Sequence, residues 1–179
     1  MALILQSDRL VLRAHRHGDF ERLAAMWSHP GVVLHFGGKP FSREDSWNRL
    51  LRYAGNWQLL GYGMWAVTRP GDDVHLGDVG FLHGERTGVP AFGCPEAAWA
   101  FHPDVQGQGF GGEAVACVLA WADKQAATAA DPRFDRTAAM INPANAASIA
   151  VARRCGFSIF GDARYADHPV GLWERGAPT

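Results

Sequence analysis

Apolar residues recur along this 179-residue chain with two periods, and the changes of period mark the expected elements. In DRLVLRA, residues 8–14, Leu10, Leu12 and Ala14 alternate with Arg9, Val11 and Arg13. That period of two predicts an opening strand with one wet face. Asp19 is placed to cap a helix with Leu23 and Trp27 one turn apart, and the turn HPGVV ends it. Ser42 to Asp45 resembles a capping box, and Trp47, Leu50, Leu51, Ala54 and Trp57 then form one helical stripe as far as Gly61. Strand character follows: Tyr62 to Thr68, the turn PGDD, and Val74 to Leu82 read as a hairpin. Gly84 to Pro95 is a long Gly/Pro loop, of a length that is often functional. Glu96 to Phe101 is a third short strand, cut off by Pro103. A helix from Gly112 to about Ala126 is apolar nearly all round and therefore expected to be buried. Thr137 to Ile141 reads as a buried strand. Asn145 caps a helix to Cys155, with Gly156 as its left-handed terminator and Phe157 as the hydrophobic contact beyond. Ser158 to Tyr165 and Val170 to Glu174 form two last strands. No repeat or linker interrupts the series, so residues 1–179 are read as one α+β domain.

Composition narrows the function classes. With 47% apolar and 20% charged residues, the chain is able to build one sizeable core. A net charge of −1 without a basic run argues against nucleic acid or an anionic membrane as partner. The longest apolar run, Ala114 to Ala122, is too short to span a bilayer, and the N-terminus lacks the basic region of a secretory signal. Cys94, Cys117 and Cys155 are odd in number and widely spaced, which points to reduced thiols and a cytoplasmic location. No His/Cys/Asp group has metal-ligand spacing, so no metal is expected.

The informative stretch is HPDVQGQGFGGEA, His102 to Ala114. Gly107, Gly109 and Gly112 fit the dinucleotide pattern G-x-G-x-x-G, whereas Gln106, Gly109 and Gly111 fit Q-x-x-G-x-G. The dinucleotide reading needs an acidic residue at the tip of the next strand. Here Asp131 and Asp135 precede that strand, and no second βαβ half has room. A P-loop is excluded because no Gly-Lys-Ser/Thr exists. The chemistry still favours an anion, since glycines let successive N–H groups and the helix dipole face a pyrophosphate.

PEAAWAFHPDVQGQGFGGEA followed by NPANAASIAVARRCGF resembles the GNAT acyl-CoA N-acetyltransferases, in particular the branch of the ribosomal-protein N-terminal alanine acetyltransferases. The order of elements agrees over about residues 7–175. The resemblance implies a mixed, mostly antiparallel twisted sheet flanked by helices, splayed between its fourth and fifth strands. It implies acetyl-CoA as co-substrate, laid along the strand Glu96 to Phe101 with a backbone contact at Phe101. Its pyrophosphate would sit on Gln106, Gly107, Gln108, Gly109, Phe110, Gly111 and Gly112, with Gln106 adding a side-chain hydrogen bond. Asn145 and Ser148 match the family's Asn and Ser, which face the pantetheine and the sulfur. Many members carry a tyrosine four residues after that serine as general acid. Here Ala152 stands there, leaving Ser148, a water or Tyr165 for the leaving-group step.

Acetyl transfer needs a base for the amine, donors for the thioester oxygen and a proton for the thiolate. Phe101 N–H is the candidate oxyanion donor. Glu96 is the candidate base, acting through a water, because it opens the cofactor strand with only Pro95 and Ala97 beside it in sequence. Its pKa is expected to be raised by an apolar surround that includes Trp99. Ser148 is the candidate partner of the leaving sulfur, and His83, Glu85 and His102 are reserve bases. Trp27, Trp47 and Trp57 lie on the two early helices, which in the family often wall the acceptor site. The acceptor is then a small-molecule amine or a peptide N-terminus, and a homodimer is compatible with the resemblance. Two alternatives remain: a non-catalytic acyl-CoA-binding module, and, more remotely, a nucleotide-binding oxidoreductase.

Overall fold

The computed structural model describes residues 3–128 and 130–178. Its elements are β1 (Leu5–Gln6), β2 (Val11–Arg13), α1 (Phe20–Ser28), α2 (Pro30–Val33), α3 (Arg43–Leu60), β3 (Met64–Arg69), β4 (Asp72–Leu82), β5 (Glu96–Phe101), α4 (Phe110–Ala127), β6 (Arg136–Ile141), α5 (Ala146–Arg154), β7 (Ser158–Tyr165) and β8 (His168–Gly176). The strands form one eight-stranded sheet in the order β1-β2-β3-β4-β5-β6-β8-β7. Every pair is antiparallel except β5–β6. This is the expected α+β architecture.

Two apolar layers cover the sheet. Leu12, Trp65, Val67, Phe81 and Phe101 pack with α4 on one side, while Leu23, Trp27, Tyr53, Met64 and Ala100 pack among α1, α2 and α3 on the other. The middle strands can approach closely because two positions lack a side chain. A Cβ at Gly77 would lie 2.4 Å from Ala100 O, and one at Gly80 would lie 2.3 Å from Gly63 O. Both distances are far inside contact, so β4 lies against β3 and β5 only with glycine there.

Several local expectations need correction. The opening strand is not continuous over 8–14: Ser7 N donates to Leu10 O at 3.0 Å, and this turn separates β1 from β2. Arg13 does not face water. It is 4% exposed because Asp19 and Asp73 meet its guanidinium. Asp19 precedes α1 without capping it. Its carboxylate takes two Arg13 N–H groups at 2.8 Å and Arg16 N–H at 2.7 Å, and charge-assisted bonds outcompete a helix cap. On α3, Ser46, Leu50 and Tyr53 face inward, whereas Leu51 is 51% exposed and Ala54 is exposed. The true stripe is set by what the helix rests on, not by apolarity alone. On α4, Ala116 and Ala120 are exposed, and small residues had made the helix look buried all round. The last strand is longer than expected, because Ala166 and Asp167, with φ of 48° and 65°, make a tight two-residue turn that extends its pairing with β7. Elsewhere the local chemistry behaves as read. Ser42 and Asp45 close a capping box, and Gly61 ends α3 at φ 78°. Phe157 N donates to Ala152 O and Gly156 N to Arg153 O, a Schellman ending for α5.

Candidate active site

The site begins where β5 leaves β6. The two strands are in register only at Glu96↔Ala138, fixed by Ala138 N donating to Pro95 O at 3.0 Å. From there β6 pairs along its length with β8, and β5 with β4. The expected splay is therefore present, between the fifth and sixth strands, because the opening segment counts as two. His102 N donates to Leu76 O at 2.9 Å. Antiparallel alternation turns the N–H and C=O groups of Ala97, Trp99 and Phe101 away from β4. Of these, the registered pair with β6 takes Ala97 N–H and Gln106 takes Phe101 O, so Trp99 N–H and C=O and Phe101 N–H are the groups left along the slot. A β-strand edge with unmatched polar groups suits an amide-bearing arm added as a further strand.

At the end of the slot lies the glycine loop. Gly107 and Gly109 have φ of 76° and 81°, so a side chain is disfavoured there by backbone strain. Gly111 and Gly112 carry no such constraint. A Cβ on Gly111 would meet the Phe101 ring at 3.7 Å, and one on Gly112 would meet Arg154 Nη2 at 3.8 Å, both ordinary contacts. The protein itself does not require glycine at either position. Gly109 stands at the N-cap position of α4 without a side-chain cap, so the helix's first N–H groups are left to other partners. The loop is braced from outside. Arg9 Nη1 donates to Gln108 O at 3.1 Å, its guanidinium pairs with Glu113 at 2.6 Å, and its Cζ lies 4.7 Å from the centroid of the buried Phe110. Neither Arg9 nor Glu113 stands out in the sequence. The Gln106 side chain is tied to the strand, its Nε2 donating to Phe101 O at 3.0 Å. Gln108 Nε2 likewise donates to Asp104 O at 3.1 Å.

Asn145 caps α5, its Oδ1 accepting Ser148 N–H at 3.0 Å, and Ser148 Oγ accepts Trp99 Nε1–H at 3.2 Å. Both line a cavity of about 620 Å³ that also reaches Glu96. Ala152 is fully buried in the α4-side core.

Glu96 occupies the wall of this cavity and is 5% exposed. Two expectations about it change. Trp99 is three positions on, so by alternation it faces α4 and α5, while Glu96 shares the opposite face with Ala98 and Ala100. A competitor for the carboxylate also exists, ten residues upstream in the loop. Arg86 donates to both Glu96 oxygens, with Nη2–Oε1 at 3.0 Å. Burial still holds the Glu96 carboxyl above its usual range, with Arg86 opposing that shift.

The reserve groups divide. His83 and Glu85 line the cavity and hydrogen-bond each other at 2.7 Å. His102 lies outside it, with Nε2 donating to Arg22 O at 2.9 Å, and burial pushes its pKa down to about 4. Tyr165 is in the wall. Of the three early tryptophans only Trp27 is. Trp47 packs edge-on against Phe20 and His17, and Trp57 against Trp65 and Trp121.

Three features were invisible in the linear spacing. Arg49 and Arg52 project from α3 into the cavity wall. Tyr53 is also there, its phenol pushed up to about 12 by burial. Beneath them His15, His75 and Asp78 come together from β2–α1 and β4, which no sequence spacing suggested. Both imidazole Nε2 atoms lie 2.8 Å from Asp78 Oδ1, and Trp27 Nε1 donates to Oδ2 at 3.1 Å. Burial opposes ionisation of Asp78, but His75 and His15 hold its carboxyl well below the usual range.

Residues 9–158 match the family model described as an acetyltransferase (GNAT) domain. Among solved structures, a GNAT-family acetyltransferase from Bordetella pertussis is 28% identical, with TM-score 0.81 over 98% of this chain and 100% of that one. An acetyl transferase from Salmonella typhimurium that modifies the N-terminal serine of ribosomal protein L7/L12 is 19% identical, with TM-score 0.76 over 98% and 100%. A ribosomal L7/L12 α-N-protein acetyltransferase in complex with coenzyme A is 20% identical, with TM-score 0.70 over 97% and 98%.

Proposed function

The chain belongs to the GNAT acetyltransferase family, and from that premise we propose that it moves an acetyl group from acetyl-CoA to a primary amine by direct attack in a ternary complex. The observation that carries this reading is the slot. β5 parts from β6 after one registered pair, its Trp99 backbone groups and Phe101 N–H are turned into the opening, and a glycine loop lies at its end. A pantetheine arm would pair with those groups, and the pyrophosphate would rest on the N–H groups from Gly109 to Gly112. Coenzyme A in a structural relative of the same fold supports the assignment.

In the reaction the amine nitrogen attacks the thioester carbonyl, an N–C bond forms and the C–S bond breaks. Phe101 N–H, or its neighbour in the slot Trp99 N–H, donates to the oxygen as charge grows there. Glu96 takes the amine proton through a water; burial raises its affinity for that proton, and Arg86 steers the carboxylate. Ser148 Oγ, already oriented by Trp99, hydrogen-bonds the departing sulfur, and Tyr165 in the same wall is the second candidate to protonate it.

Glu96→Gln should lower kcat by about 10²-fold or more and leave the acetyl-CoA dissociation constant nearly unchanged. Free-thiol release over an amine panel, paired with calorimetric titration of acetyl-CoA, reads both. Wild-type kcat in the variant would move the base to Glu85 or His83. Ala152 and the Arg86–Glu96 pair favour one other reading, an acyl-CoA-binding module without turnover. Tight acetyl-CoA binding with no thiol release over the panel would select it.

A further inference from the structure

The cavity wall carries more positive charge than its own residues neutralise. Arg49 and Arg52 are three positions apart on α3 and so share a face with Tyr53. The Arg49 guanidinium stands 3.9 Å from the Trp27 ring centroid and 4.7 Å from that of Phe41, and Nη1 donates to Tyr53 Oη at 3.2 Å. Its Nε is buried with no partner. Among the described residues neither Arg49 nor Arg52 forms an ion pair, and Arg52 makes no side-chain hydrogen bond. The wall's acids are engaged elsewhere: Glu96 is taken by Arg86, and Glu85, with a 90% exposed side chain, pairs with His83. Arg52 is exposed at its surface yet crowded by the cavity wall. That desolvation, followed by repulsion from Arg49, lowers its pKa.

Such an arrangement selects its ligand. An aromatic cradle holds Arg49 in place, so its fork loses little freedom when it binds, and a planar guanidinium matches a carboxylate through two parallel bonds. An alkylamine or polyamine entering as a cation would meet two uncompensated like charges. An acceptor that brought its own carboxylate would reverse the sign of that interaction and leave its amine free to approach the slot. We propose that Arg49 and Arg52 are specificity-determining residues that hold a carboxylate of the acceptor, so that the acceptor class is an amine carrying an acidic group. The inference rests on the acetyl-transfer reading of the cavity given above. The shared chemistry has two sources, a small amino-carboxylate or a peptide N-terminus followed closely by Asp or Glu.

The test uses the full chain, acetyl-CoA and matched pairs that differ only in charge. One pair is 4-aminobutyrate and its amide. The other is Ala-Glu-Ala and Ala-Gln-Ala, both amidated at the C-terminus. The acidic member of at least one pair should be favoured at least tenfold in kcat/KM, and the favoured pair identifies the source. Arg52→Gln, which removes no hydrogen bond or ion pair seen in the structure, should raise KM for that acceptor and bring its preference to within about twofold, with kcat and the acetyl-CoA dissociation constant little changed. Arg49→Met should do the same if it folds. Equal use of both members, preference for the amides, or preference retained in Arg52→Gln overturns the inference. If neither pair turns over, glutarate and glutaramide are titrated calorimetrically in the presence of CoA. Tighter binding of glutarate that is lost in Arg52→Gln supports the inference, and no binding overturns it. Failure of acetyl-CoA itself to bind would instead defeat the acetyl-transfer reading, whereas acetyl-CoA binding with indifference to the carboxylate defeats only the acceptor class.

Discussion

His102 shows how one side chain can be read from its surroundings. It follows the strand Glu96–Phe101 directly, yet Nε2 donates to Arg22 O and the residue is 4% exposed. Burial first, then the Arg22 and His75 charges, pushes its pKa down to about 4. The unfolded chain takes up this proton near pH 6.5, the folded chain only near pH 4, so between these values the unfolded state holds more protons. Its contribution is therefore complete above about pH 6.5 and is lost as pH falls toward 4. The loss is of the order of 1–3 kcal/mol, or several degrees in melting temperature. Melting curves from pH 7 to 4 should show that decline, and His102→Gln should flatten it. The paired carboxylates Asp19 and Asp78 have depressed values and act in the same direction at lower pH, so the two windows are separable.

At the scale of the element, the glycine loop separates what the chain needs from what a ligand needs. Gly107 and Gly109 are held at positive φ, so a substitution there strains the fold whether or not anything binds. At Gly111 a Cβ meets the edge of Phe101 at 3.7 Å and Val151 Cγ2 at 4.0 Å, both ordinary contacts. Gly111→Val should therefore fold with a melting temperature within a few degrees of wild type. It should weaken acetyl-CoA by at least about tenfold, roughly 1.4 kcal/mol, if phosphate oxygens occupy that space. Calorimetric titration beside a melting curve separates the outcomes. Unchanged affinity in the folded variant would move the pyrophosphate elsewhere, whereas loss of fold would mean that the loop tolerates less than its contacts suggest.

For the molecule as a whole, the site is where the sheet comes apart. β1 to β5 form one antiparallel set and β6 to β8 another, joined along the sheet by the single registered pair Glu96↔Ala138 and, on one face, by α4 and α5. A ligand lying along β5 with its phosphates on α4 would add contacts across that seam. At a concentration of 100 times its dissociation constant, acetyl-CoA should stabilise the fold by about 2.7 kcal/mol. That corresponds to several degrees in a thermal melt. NADH should leave the melt unmoved, because the slot offers strand-edge amides to pantetheine, and Asp131 and Asp135 precede β6 rather than stand at its tip. The reverse pattern would return the dinucleotide reading to consideration.

Local chemistry was legible wherever one residue's own physics decides. The Ser42–Asp45 box, the Asn145 cap, the Gly156–Phe157 ending and the strand Glu96–Phe101 each follow from capping groups, positive φ or proline within a few positions, and all stand as read. The glycine loop was legible for the same reason, and through its motif so was the family. What only the tertiary structure decided depends on partners far along the chain. Arg13 looked solvated until Asp19 and Asp73 closed on it. Glu96 had no rival until the loop returned Arg86 to it, and Gln106 was free for a ligand until Phe101 O claimed it. His15, His75 and Asp78 share no motif and meet only because β2 and β4 lie under α1. Arg49 and Arg52 read as ordinary helix-surface arginines, and only the packed cavity reveals that among the described residues neither has an ion-pair partner. Long polar side chains reach whatever the fold brings near, and charge pairing is a property of that proximity rather than of the chain order.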